Sequence, residues 1–354
     1  MFKKILLINH ATSKSGSANY LEDYLLREKY TVWRITHPLD FYQNGQTFLL
    51  KNKKKIVNKK RSGSASVNLV IDLYLSLKFL RDIKFDTFIG ANNFDTFTGI
   101  IARKVFRKKI KEIVYFASDF SEKRYGNIFL NFVYYLIERI ALKYSDKVIS
   151  NTNRAEKKRF GMGLKKSKSI VIQNGIFINN PAFNKKEILK NNFIYIGSLT
   201  PEHGIYKLLE EIAPIIKKLV IIGHGDEQQK IIDLCQKYNI NLELHQHKSH
   251  EYVIDYLKEF NGFGLAPYNL EAGWTYYCSP TKIGEYIGTV VPVLISNVPE
   301  MAEYIADNSL GIVYNNLNIK EIENKLNKFD LLDFEKKSEL YYRNFNRNKL
   351  YEKL

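Results

Sequence analysis

Residues suited to chemistry concentrate in one block, Tyr277-Cys278-Ser279-Pro280-Thr281-Lys282-Ile283-Gly284-Glu285-Tyr286. Ser279 as an N-cap, with Pro280 at the first helical position, would pre-organise a helix start. Lys282 then falls in the first turn, where a cation opposes the helix dipole; an anion bound at that tip would offset the cost. Glu285, three residues on, lies on nearly the same face and suits acceptance of two hydrogen bonds from the vicinal hydroxyls of a ribose. The plainer alternative is a surface ion pair between Lys282 and Glu285. Two glycine turns add to the block. Gly197-Ser198-Leu199-Thr200-Pro201-Glu202-His203-Gly204 reads as a strand end opening into a helix, the arrangement whose backbone N–H groups attract phosphate. Gly223-His224-Gly225-Asp226 is a second such turn, but it lacks the third glycine of a dinucleotide fingerprint, which argues against nicotinamide or flavin.

These segments need strands to hold them. In the second half, short β-branched runs at 193–196, 219–222, 242–245, 264–266, 293–295 and 312–314 alternate with helical stretches, the signature of parallel α/β layers. The first half shows the same rhythm, with strands at 4–9, 31–36, 87–90, 112–117, 147–150 and 169–172. Only 44–63, with Gly, Asn and seven basic residues, breaks it and reads as an exposed loop or hairpin. The expectation is two doubly wound, Rossmann-like domains facing a cleft, with ligands outside the strand carboxyl ends. Residues 1–175 form the first domain, 176–192 a polar linker and 193–335 the second domain. A final helix, 336–354, is expected to pack back on the first domain.

Of 354 residues, 54 are Lys or Arg and 37 Asp or Glu, a net charge of +17. The excess is one-sided: residues 1–175 hold 34 basic and 14 acidic side chains (+20), leaving 20 and 23 (−3) for the rest. Such a field implies an anionic partner for the first half, either nucleic acid or an anionic membrane surface, unless it is only a solvated face. The absence of an aromatic-interleaved recognition motif weighs against nucleic acid. The two cysteines, Cys235 and Cys278, have no metal-type spacing and fit a reducing compartment. The opening apolar run is too short for a signal peptide, and no stretch of roughly 18 apolar residues could cross a bilayer. The segment 127–144 is apolar and aromatic, suited to core packing or to a membrane surface. His245, His247 and His250 invite a zinc reading, but no nearby acidic residue completes a ligand set.

The order Asn174-Gly175, then Tyr195-Ile-Gly-Ser-Leu with His203-Gly204, then Ile222-Gly-His-Gly, then Ser279-Pro-Thr-Lys-Ile-Gly-Glu-Tyr with Pro292-Val293, resembles glycosyltransferase family 4, group 1 transferases of the GT-B fold. Tyr115-Phe-Ala-Ser-Asp119 and Asp146-Lys-Val-Ile-Ser-Asn also fit. The resemblance implies transfer of a sugar, with retention of configuration, from a nucleotide-sugar donor to a glycan acceptor, a lipid-linked one being the favoured class. It implies no cofactor beyond that co-substrate and no metal. It places the donor on Gly197, Ser198, His203, Gly223, Gly225, Ser279, Pro280, Thr281, Lys282 and Glu285. Lys282 with the amides at Gly197–Ser198 and Thr281–Lys282 would stabilise the leaving diphosphate. Asp119, with His10 and Gly16, would stand on the acceptor side, Asp119 as a base or orienting group; otherwise Asp119 is a helix N-cap. Ser198 and His203 stand where the family carries Arg and Lys, and Tyr277 where it carries the first of two glutamates. The chain would then be cytoplasmic and peripheral on the inner face of the cell membrane. A nucleotide-sugar epimerase of the same fold, a basic nucleic-acid-binding protein and a non-catalytic transferase-like subunit are the alternatives.

Overall fold

The computed structural model describes residues 3–11, 17–39, 45–61, 65–178, 181, 187–246 and 248–353, and they divide into two compact units. The first comprises residues 1–172 with 351–354, the second 173–350.

In the first unit the elements are β1 (Lys4–Ala11), α1 (Ser17–Arg27), β2 (Thr31–Pro38), β3 (Gln46–Lys51), β4 (Lys54–Lys60), α2 (Ala65–Asp82), β5 (Thr87–Gly90), α3 (Asn93–Lys104), β6 (Glu112–Ala117), α4 (Ile128–Tyr144), β7 (Lys147–Ser150), α5 (Asn153–Gly161) and β8 (Ser169–Val171). The sheet order is β4-β3-β2-β1-β5-β6-β7-β8. The basic segment 44–63 thus contains a hairpin, β3–β4, added antiparallel to β2, while the other pairs are parallel. β1 and β5 are neighbours from which the chain winds in opposite directions, the switch point where open α/β sheets bind ligands.

The second unit contains β9 (Asn192–Ile196), α6 (Ile205–Ile212), β10 (Lys218–Ile222), α7 (Gln228–Lys237), β11 (Asn241–His245), α8 (His250–Glu259), β12 (Phe263–Ala266), α9 (Thr281–Gly288), β13 (Val293–Ser296), α10 (Met301–Asp307), β14 (Gly311–Tyr314), α11 (Ile319–Lys328), α12 (Leu331–Phe345) and α13 (Arg347–Tyr351). Its order, β11-β10-β9-β12-β13-β14, is wholly parallel and is that of a dinucleotide-type fold, with its switch point between β9 and β12. Such strands carry helices on both faces, which is why Phe193–Tyr195, Phe263–Ala266 and Val293–Ile295 are continuous apolar runs with no exposed side chain.

Two expected boundaries are corrected. The segment from 176 is no free linker: Ile176 and Ile178 are buried in the second unit's core, and Ile176 bridges to Asn346. The terminal helix does not pack on the first unit. Phe334 and Tyr341 of α12 are buried in the core of the second, Tyr342 Oη donates to Ile178 O (2.9 Å), and Ser338 Oγ bonds to Ile287 O of α9. Only from Tyr351, whose ring meets Tyr24 and Phe116, does the chain belong to the first unit. An amphipathic helix shows its apolar face in sequence, but not which core it will cover. Phe334→Ala should therefore destabilise the second unit by about 3–5 kcal/mol, read as a lower denaturant midpoint; a change below about 1 kcal/mol would contradict this placement of α12.

Candidate functional site

Glycines bring the second unit's loops together at the carboxyl ends of β9 and β10. A Cβ on Gly223 would lie 1.9 Å from the Gly197 carbonyl oxygen, so only glycine permits these turns to touch. Gly197 itself has φ 139°, and a Cβ there would meet Lys282 Nζ at 3.0 Å. Gly225 approaches Leu199 in the same way. Gly197, Ser198, Gly223 and His224 line a recess of about 160 Å³, together with Lys248 from the loop after β11.

Helix α9 is set in place by its small face and by one hydroxyl. Gly284 and Gly288 lie against Ile176 and Ile178, where a Cβ would come within 3.0 and 2.8 Å. The buried Tyr286 hydroxyl accepts from Ile196 N (3.0 Å) and donates toward Ile194 O (3.3 Å) and Leu265 O (3.4 Å), bridging β9 and β12 where they part. Ser279 is not the N-cap. Pro280 holds that position, and Ser279 Oγ instead accepts from Asn174 N (3.0 Å) while Asn174 Nδ2 donates to Ser279 O (2.7 Å). The pair of motif segments is thereby clasped together, and Thr281 begins the helix, exposed.

Lys282 has the most unusual environment in this unit. Its ammonium is buried and has no hydrogen-bond partner among the described residues. It lies 4.3 Å from the Tyr195 ring centroid and 5.6 Å from that of Tyr268, a cation–π contact that replaces only part of the lost hydration. Burial lowers its pKa to about 8, against the weaker opposing pull of Cys278 and Glu285. The expected alternative, a Lys282–Glu285 surface pair, is not found. Glu285 Oε1 meets His250 Nε2 of α8 at 3.0 Å.

Two expected phosphate contacts fall away. Gly197 N donates to Ile222 O (3.1 Å), so that amide is already engaged within the backbone, which leaves Ser198 of the pair. His203 is no cation: burial first, then the charge of Lys282, lowers its pKa to about 4, and its Nδ1 is 2.9 Å from Thr200 Oγ1. Lys248, not expected from the sequence, is the second cation at the recess; its place just beyond a parallel strand was the available signal.

In the first unit Asp119 follows β6 but caps no helix. It is exposed and paired with Arg124 Nη1 (2.7 Å), and α4 begins later, capped by Asn127. His10 ends β1 at the switch point. Its Nδ1 is 2.6 Å from Asp95 Oδ1 and its Nε2 3.1 Å from Asp72 Oδ2. Burial alone would lower its pKa, but the two carboxylates outweigh that and raise it to about 9. With both nitrogens donating, His10 holds a proton rather than offering to take one. Gly16 lies outside the described residues, as does His247. His245 contacts Glu243 (2.7 Å) and His250 contacts Glu285, so the expected histidine trio is dispersed among separate carboxylates.

Residues 178–347, nearly the whole of the second unit, match the family model for glycosyl transferases group 1. The chain belongs to this family. Its fold is that of WaaG, a glycosyltransferase involved in lipopolysaccharide biosynthesis, at 16% identity and TM-score 0.71, over 99% of this chain and 98% of that one. HepE of Anabaena, solved in complex with UDP-glucose, superposes with TM-score 0.67 at 13% identity, over 99% and 98%. An uncharacterized 41.2 kDa protein in the cps region of Klebsiella pneumoniae is 24% identical over 263 residues, 68% of this chain and 69% of that one. The group 1 signature therefore coincides with the unit that holds Lys282, and the GT-B fold extends over both units.

A buried, unpaired ammonium destabilises the free transferase. With the folded pKa near 8 and the unfolded value at 10.5, its cost is fully present below pH 8 and disappears as pH rises toward 10.5. Lys282→Met should stabilise the ligand-free protein by about 3 kcal/mol at pH 7 (about 1.4 kcal/mol per pKa unit), the gain shrinking above pH 9. Equal stability of the two proteins at pH 7 in denaturant titrations would contradict the burial of the charge.

Proposed function

We propose that this group 1 glycosyltransferase binds a nucleotide-sugar on its second unit and transfers the sugar, with retention, to a glycan acceptor in cell-surface polysaccharide or glycoconjugate assembly. One observation carries the reading: the Lys282 ammonium, held without a counter-ion beside Gly197 at the switch point of a dinucleotide-type sheet. A diphosphate supplies the missing charge, and as the sugar–phosphate bond breaks, the charge growing on the leaving group strengthens the contact. Ser198, the amides at Thr281–Lys282 and Lys248 complete the anion site, with no divalent ion required at the diphosphate. Glu285, fixed by His250, accepts from the ribose hydroxyls. The complex of HepE with UDP-glucose makes a UDP-sugar the first donor to test. The names of WaaG and of the cps-region relative support the cell-surface setting.

The acceptor side supports retention. His10 is engaged at both nitrogens and Asp119 is paired with Arg124, so neither is poised as a free base. The donor phosphate itself can then take the acceptor's proton. A lipid-linked acceptor, and residence on the inner membrane face, are supported by α4. None of the described helices is long and apolar enough to cross a membrane, but Ile128 (87% exposed), Phe129 (67%), Phe132 (65%) and Leu136 (49%) share one face of α4. The opposite side buries Glu138, Ala141 and Leu142. Such a face on a unit of charge +20 suits an anionic bilayer, where each basic residue near the surface contributes about 1 kcal/mol.

In a thermal-shift screen of UDP-, GDP-, dTDP- and CMP-sugars, one donor should raise the melting temperature of the wild type, and Lys282→Met should abolish that rise. A donor that stabilises both proteins equally would remove the assigned role. NMR of the product should show the donor's anomeric configuration kept; inversion would contradict the phosphate-assisted route. Cosedimentation with anionic vesicles should fall with salt and should be largely lost in Phe129→Glu/Phe132→Glu. Binding indifferent to lipid charge and to this pair would exclude the α4 surface.

A further inference from the structure

The first unit contains a buried cluster that the transfer reaction does not use. Five side chains from five elements converge at its switch point: His10 at the end of β1, His37 at the end of β2, Arg61 just after β4, Asp72 on α2 and Asp95 in the first turn of α3. His37, Arg61, Asp72 and Asp95 are buried, and His10 retains 9% side-chain exposure. Asp72 is the hub. His10 Nε2 is 3.1 Å from its Oδ2, His37 Nδ1 3.0 Å from its Oδ1, and Arg61 Nη1 2.7 Å from its Oδ2.

We propose that His10, His37 and Asp72 form a binding site for one divalent transition-metal ion, zinc being the ion that two imidazoles and a carboxylate suit best. One ligand atom from each residue lies within 4.8 Å of the others. The two nitrogen–oxygen separations near 3 Å approach the edge of a tetrahedron with metal–ligand bonds of about 2.0–2.1 Å, roughly 3.3 Å. The outer contacts match what metal-bound histidines need, a second nitrogen tied to an acceptor that sets the tautomer. His10 Nδ1 is held by Asp95 Oδ1 (2.6 Å), itself fixed by Asn92 Nδ2 on Oδ2 (2.7 Å). His37 Nε2 is held by Ser76 Oγ (2.9 Å). Charge agrees: with neutral imidazoles, two carboxylates against one guanidinium leave a net −1 in a buried site. Thr47 Oγ1, 3.0 Å from His37 Nδ1, or a water would take the fourth position. This site lies in the unit opposite in assignment to the donor, so it stands or falls apart from the transfer reading.

The test uses tag-free, full-length protein stripped with a chelator and titrated with Zn²⁺ in competition with a chromophoric chelator. One Zn²⁺ per chain is expected, with affinity at least 100-fold weaker in Asp72→Asn. Ser76→Ala, which leaves all three ligands in place, should weaken binding by about tenfold and so separates loss of the site from loss of the fold. No stoichiometric uptake by the wild type, or uptake unchanged in both variants, would overturn the proposal.

Discussion

An amine taken out of water without a counter-ion is costly, and aromatic faces recover only part of its hydration. In this chain that amine is Lys282, and much of the second unit's geometry serves to hold it. The glycines of α9 bring the helix against Ile176 and Ile178, the Tyr286 hydroxyl pins it where β9 and β12 diverge, and Gly197 leaves open the space that its Nζ faces. Each contact brings the ammonium closer to the strand ends. None of them neutralises it. A site built this way is a binding site waiting for its charge.

The two units solve the same electrostatic problem in opposite ways. At the switch point of the first, His10 is surrounded by Asp72 and Asp95, so its positive charge is stabilised and its pKa rises to about 9. At the switch point of the second, Lys282 is surrounded by tyrosine rings and backbone, so its pKa falls to about 8. The first arrangement is internally satisfied in the absence of any ligand; the second is not. This contrast separates a structural or cation-binding cluster from an anion-binding one more clearly than residue types alone could.

Local pattern in the chain was enough for the strands of both sheets, because buried parallel strands must be apolar throughout and their ends are marked by Gly, Asn and Pro. It was enough, too, for the block around Lys282. What escaped were partners far apart in the chain. Ser279 has the right type and place for an N-cap, yet its hydroxyl is taken by an amide 105 residues away. His203 could be read as a cation only until its burial beside Lys282 was known. His10 signalled a ligand end of β1, but Asp72 and Asp95, 62 and 85 residues distant, decide its charge. The apolar stripe of α12 was visible; which core it covers depends on tertiary contacts with α9 and with residues 176–178.

The most direct measurement is the ionisation of Lys282 itself, followed by NMR of the labelled side chain against pH, without and with UDP. The account predicts an apparent pKa near 8 in the free protein that moves back above 10 when the diphosphate is bound, because the missing counter-ion has then arrived. An ordinary lysine value in the free protein, or a titration unmoved by saturating UDP, would contradict it.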